Sequence, residues 1–194
     1  AVNTAEDAQQ DRLRLHRVTL RRGFFIGETE VPRAVHSAFL ARQGRPPLPE
    51  VAPVPPEARL RSDPGELPAG GVTWREAREL CAEHGLRLPT EAEWELAARG
   101  TDGRLYPWGD VPPAPGDGRL NYGMSWPAPS DGSARCGVVP VRSLPAGASP
   151  SGCLHMAGNV WEWVEDAYAP YPEGPVTDPL VAGGARRVLR GGCY

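Results

Sequence analysis

Residues Leu154 to Glu165 read LHMAGNVWEWVE, and the rest of the chain is organised around them. Two tryptophans flank a glutamate, Trp161-Glu162-Trp163, directly after a Gly-Asn pair. In an extended segment, alternation puts Trp161 and Trp163 on one face and Glu162 on the other. The aromatic face is expected to fill a core. The carboxylate opposite needs a partner, because a buried charge without one is costly. Asn159 tolerates left-handed backbone and Gly158 allows close backbone approach. Such a turn leaves carbonyl oxygens free to face a cation. The stretch therefore reads either as a structural strand behind a turn or as a carboxylate-plus-carbonyl site for a hard cation such as calcium.

Composition sets the frame. The 194 residues fit one domain, and 40% hydrophobic content is enough for a core. Gly 23 and Pro 23 together approach a quarter of the chain, which predicts a loop-rich fold with few long elements. A net charge of −3 gives no field for a polyanion, so nucleic acid is not an expected partner. All 21 basic residues are arginine, which excludes Schiff-base lysine chemistry and suggests a GC-rich bacterial genome. No apolar run approaches the length of a membrane span, and no secretory signal is visible, so a cytoplasmic location is favoured. Cys81, Cys136, Cys153 and Cys193 form no C-x-x-C pair, which argues against a zinc ribbon. The sequence leaves a Cys136–Cys153 disulfide open; free buried thiols are the expected state in a cytosolic protein.

Along the chain, residues 1–15 read as a polar terminal segment. His16 to Leu20 and Phe24 to Val31 are predicted to pair as a hairpin. Arg33 to Gln43 is a short helix burying Val35, Ala38 and Phe39, with His36 on the neighbouring face as a surface or packing residue. Residues 45–71 contain eight prolines and read as a loop laid over the body. Thr73 to His84 is the clearest helix, opened by the capping box Thr73–Glu76 and stopped by Gly85. Thr90 and Glu93 repeat the box for a helix ending before Gly100. Glu91 and Glu93 are assigned to that helix N-terminus rather than to a catalytic carboxylate pair. Tyr106 to Asp110 is an aromatic turn. Val138 to Leu144 and Arg187 to Leu189 are predicted strands.

GNVWEW resembles the signature of the formylglycine-generating enzymes, also called sulfatase-modifying factors. GVTWREARELC (Gly71–Cys81), LRLPTEAEWELAARG (Leu86–Gly100) with YPWGD (Tyr106–Asp110), and RVLRGG (Arg187–Gly192) match the same family in order. HRVTLRRGFFIGETEV (His16–Val31) is similar to its opening strand pair. The resemblance implies a mixed α+β, loop-rich fold of C-type-lectin-like kind, with short antiparallel strands and two or three short helices. It implies one domain over 16–194, C-terminally incomplete. The scaffold also resembles that of the variable proteins of diversity-generating retroelements, which display a ligand-binding face.

The resemblance further implies two structural calcium sites. Asn121, Tyr122, Asp131 and Ser133 fall at the first. Gly158, Val160 and Glu162 fall at the second, with the two carbonyls and one carboxylate as donors. His155 stands where the family carries an oxygen-bearing side chain, and nitrogen is a poor calcium donor. The family's oxidase converts a sulfatase-peptide cysteine to formylglycine with oxygen and one copper ion held by two thiolates just beyond an RGG-Ser-Trp/Tyr segment. Here Cys193 occupies the serine position, and neither copper ligand lies within residues 1–194. Cys81 is expected to be a buried structural thiol. The expectation is a non-catalytic module binding a protein or peptide ligand, carrying structural calcium, with no nucleic acid or membrane partner; membership of a longer multidomain chain is left open. The alternative is the copper-dependent oxidase with its C-terminal catalytic segment missing here.

Overall fold

The computed structural model describes residues 15–47, 63–114, 116–122 and 137–193. Among them the secondary structure is short and mixed. Strand β1 is Val18–Thr19, helix α1 is Arg33–Arg42, helix α2 is Trp74–Glu83 and helix α3 is Glu91–Arg99. Strands β2 (Glu162–Ala167), β3 (Val176–Thr177) and β4 (Arg187–Arg190) follow. Long connecting stretches separate them, as the glycine and proline content requires.

Local chemistry explains the helix boundaries. Thr73 Oγ1 accepts from the Glu76 N–H at 3.3 Å, and Glu76 accepts from the Thr73 N–H at 2.9 Å. Thr90 and Glu93 make the same reciprocal pair at 3.2 and 2.8 Å. Both boxes satisfy backbone donors that a helix start otherwise leaves orphaned. Helix α2 stops where Gly85, at φ 68, turns the chain back. The Leu86 N–H then bonds the Cys81 carbonyl and the Gly85 N–H bonds that of Ala82, a Schellman closure.

Each box carboxylate is also ion-paired. Arg87 grips Glu93 through both guanidinium nitrogens at 2.7 Å, and Arg45 bonds Glu76. Hydrogen bonding from the Thr73 N–H, with Arg45 beside it, holds the Glu76 carboxyl down at about 2.

Helix α3 packs against β2 and β4. Trp94, Ala97, Ala98, Cys153, Met156 and Val164 form the main buried cluster, with Ile26 and Val188 packed on it. A second cluster joins α1 to α2 through Phe39, Leu40 and Leu80. Each large aliphatic or phenylalanine side chain among them contributes roughly 1.5–3 kcal/mol on burial. Asp166 locks β2 to the start of α3, accepting from the Glu91 N–H at 2.8 Å while its other oxygen accepts from the Val181 N–H at 2.8 Å.

Strand pairing departs from expectation at the front. Strand β4 pairs antiparallel with β2, Trp163 opposite Leu189, with an irregularity before Ala167 opposite Arg187. Strand β1 pairs instead with β3, in parallel, Val18 opposite Val176. The hairpin from His16 to Val31 is therefore not formed. The Arg21 backbone N–H and guanidinium both bind Asp178, which draws β1 to the distant β3.

Val138 to Leu144 is not a strand either. Pro140 starts a turn closed by the Ser143 N–H at 2.9 Å, and Leu144 sits at φ 54. Proline cannot donate to a ladder. In α1, Val35 is exposed, while His36, Phe39 and Leu40 are buried. Cys153 is a free thiol; Cys136, with which the sequence leaves a disulfide open, lies outside the described residues.

Candidate functional site

The turn Met156–Glu162 sits where four distant segments meet, and Asn159 is their common point. This side chain is fully buried and held at φ 60, the left-handed region its type allows. Its Oδ1 accepts from the Val139 N–H and from Asn121 Nδ2, each at 2.9 Å. Its Nδ2 donates to Glu30 at 2.8 Å and to the Val139 carbonyl at 3.2 Å. Its backbone N–H bonds the Asn121 carbonyl at 2.8 Å. A buried amide with every site used fixes one geometry.

Gly158 makes that closeness possible. At φ 78 its backbone runs so near Asn121 that an added Cβ would stand 2.3 Å from the Asn121 oxygen. No other residue type fits there.

Beneath this turn lie two acidic side chains. Glu30 is buried and accepts from Asn159 Nδ2 and, at 3.3 Å, from the Val160 N–H. Glu162 accepts from the Trp94 indole N–H at 2.9 Å. Neither has an arginine or histidine partner among the described residues. Burial, and then the charge of Glu162, push the Glu30 carboxyl up to about 8. Burial pushes that of Glu162 up to about 7, against the lowering effect of the Trp94 bond. Two neighbouring buried carboxyls disfavour each other's ionisation unless a cation or proton joins them.

The tryptophans are reversed from the sequence reading. Strand β2 turns Glu162, Val164 and Asp166 inward, while Trp161 remains 52% exposed and Trp163 donates to the Val72 carbonyl at 2.8 Å. The indole of Trp94 on α3 supplies the donor that the Glu162 carboxyl needs, and this selects the inward face.

The predicted metal residues are thus partly assembled. Gly158, Val160 and Glu162 share one turn and offer only oxygen, the donor type a hard cation takes. The Glu162 carboxyl, short of any positive partner, fits such an ion. His155 does not complete the set. It is buried at φ 56 with Nε2 3.4 Å from Ser143 Oγ, and burial lowers its pKa.

Asn121 lies at the same junction, spending its Nδ2 on Asn159 and on the Gly137 carbonyl at 2.8 Å, and Tyr122 follows it half-buried. Asp131 and Ser133 lie outside the described residues. Among the described residues, no group of three His, Cys, Asp or Glu side chains converges to hold a metal. A site at this turn must therefore draw on main-chain oxygens.

The three described thiols occupy different settings. Cys153 is buried in the main cluster, and burial raises its pKa. Cys81 is half-buried on α2, raised by burial and then by the Glu165 charge. Cys193 is exposed beyond β4.

Glu30 and Asp166 escaped the sequence reading. Glu28 and Glu30 occupy equivalent-looking places in GETEV, yet Glu28 is exposed and pairs with Arg142 while Glu30 is buried. No local signal separates them.

Residues 2–194 match the family described as the Sulfatase-modifying factor enzyme 1-like domain. The chain is 44% identical over 137 residues to a formylglycine-generating enzyme of Streptomyces coelicolor, covering 66% of this chain and 42% of that protein. It is 38% identical over 130 residues to the inactive C-alpha-formylglycine-generating enzyme 2 of Mus musculus, covering 66% of this chain and 38% of that one. The chain thus spans less than half the length of these relatives. The crystal structure of CarF superposes with a TM-score of 0.57 at 23% identity, covering 86% of this chain and 73% of that one, which establishes a shared fold.

Proposed function

This chain belongs to the sulfatase-modifying factor enzyme 1-like family, and on that premise we propose that residues 1–194 act as a non-catalytic module binding a protein or peptide, on a scaffold braced by calcium. The observation that carries the reading is the state of the thiols. A copper site of this family's type needs two thiolates converging on one metal ion. Here Cys153 is a core side chain, Cys81 is half-buried on α2 and Cys193 is exposed beyond β4. Relatives named as inactive show that the scaffold also occurs without the oxidase activity.

Calcium would be held by the carbonyls of Gly158 and Val160 and the carboxylate of Glu162. It would supply the positive charge that the buried carboxyl lacks. Its role in this reading is to fix the turn, with no part in a reaction.

The second reading is the copper-dependent oxidase acting on a peptidyl cysteine, favoured by the 44% identity to the Streptomyces coelicolor enzyme. Bound copper would supply the oxygen chemistry. One assay separates the two. The chain is incubated with Cu(I), oxygen and a cysteine-bearing sulfatase peptide, and the peptide is weighed by mass spectrometry. An unchanged cysteine retained on the protein supports the binding module, and conversion to the aldehyde overturns it.

A further inference from the structure

Residues 22–27 cross the molecule between two anchors. On one side the Arg21 N–H is bonded to Asp178 at 2.8 Å; on the other the Glu28 carbonyl accepts from Leu154 at 2.8 Å. Between them, no backbone N–H or carbonyl is bonded to any described residue. The stretch nevertheless carries the period-two burial of a strand. Phe24 and Ile26 are half-buried, and Phe25 between them is fully exposed. None of the six residues has positive φ, so nothing in the backbone bars a ladder. A row left unpaired among the described residues is a template for another extended chain.

The row borders a hollow of about 530 Å³, walled by Phe24, Phe25, Ile26, Leu96 and Ala97. That volume is within the usual range for a ligand pocket. Arg21 and Arg22 line it as well. Arg21 is bonded to Asp178, and Arg22 acts on the same carboxylate from beyond bonding distance, so two guanidinium charges face one carboxylate among the described residues.

We propose that the 22–27 row receives an extended peptide of a partner protein by strand addition, with an apolar side chain in the hollow and an acidic one at Arg22. Backbone groups unbonded among the described residues suit an extended occupant, the Phe24–Ala97 wall suits an apolar side chain, and the excess positive charge of Arg21 and Arg22 over Asp178 suits an acidic one. This places a surface under the binding role proposed above and rests on it only for the choice of a peptide.

The test titrates the 194-residue chain with a fluorescent peptide of alternating valine and glutamate, followed by anisotropy. Three results are expected: binding, loss of binding when alternate peptide nitrogens are methylated, and slower amide exchange at Phe25 and Gly27 on saturation. Arg22→Glu, and the milder Arg22→Gln, should weaken binding by about tenfold or more while the thermal midpoint holds.

Binding indifferent to both N-methylation and Arg22 overturns the surface yet leaves the module reading standing. Absence of binding overturns this proposal, whereas the aldehyde assay alone decides the module reading. A concentration-dependent dimer abolished by Phe25→Glu assigns the row to a second copy. Protection of amides 22–27 before peptide is added assigns it to the chain's own residues. Either result also overturns the proposal.

Discussion

Glu30 and Asn159 are separated by 129 positions in sequence and joined by a 2.8 Å hydrogen bond between side chains that are both buried. That bond ties the N-terminal stretch to the central turn, and it passes through a side chain that also holds Asn121 and Val139. Asn159→Ala would orphan the Val139 N–H and take one hydrogen bond each from the Asn121 amide and the Glu30 carboxyl. The expected cost is about 3 kcal/mol or more, measured as a lowered urea midpoint.

Gly158→Ala should be nearly as damaging for a different reason. The new Cβ would meet the Asn121 oxygen at 2.3 Å, on backbone at φ 78. A loss of about 2–4 kcal/mol is expected in urea unfolding. Gly23→Ala meets nothing within 4 Å, and its midpoint should stay near that of the parent chain.

Calcium should raise the melting temperature, by an amount corresponding to about 2.7 kcal/mol at a hundredfold excess over Kd. Glu162→Gln should abolish most of the rise, since Gly158 and Val160 then remain as neutral donors. Equal melting curves with calcium and with chelator would remove the site.

Acid should unfold the chain partly through Glu76. Its folded pKa of about 2 lies below the ordinary carboxylate value of 4.5, so the folded state binds fewer protons than the unfolded one between those pH values. Its contribution is fully present above pH 4.5 and is lost as pH falls through about 2. Glu76→Gln should flatten the stability curve on the acid side, removing about 2 kcal/mol near neutral pH. Urea midpoints from pH 7 to pH 2.5 give the slope.

Thr90→Ala should cost about 1 kcal/mol, because the Glu93 N–H loses its side-chain acceptor; thermal unfolding measures it.

The parts of this fold that were legible in the sequence are those whose signals are local. The T-x-x-E boxes at Thr73 and Thr90 declare two helix starts, and Gly85 and Gly100 declare their stops, because capping involves residues three or four apart. The Gly158–Asn159 turn was legible because those residue types admit left-handed and close-approaching backbone. Alternation separated Glu162 from its flanking tryptophans but could not say which face turns inward. That choice belongs to Trp94, a residue 68 positions away. The pairing of β1 with β3 likewise depends on Arg21 meeting Asp178 across 157 positions, and no window of sequence contains both. Glu30 was hidden for the same reason.

The junction at Asn159 also dictates an order of events during synthesis. Glu30 leaves the ribosome 129 residues before its partner exists, a wait of roughly ten seconds at ordinary translation rates. For that interval the carboxylate can remain hydrated, with the ground it will later occupy still open to water. Helices α2 and α3 can form as they emerge, but the interior can shut only once Asn159 has been made, so a nascent chain stalled before Asn159 should remain open to protease around Glu30.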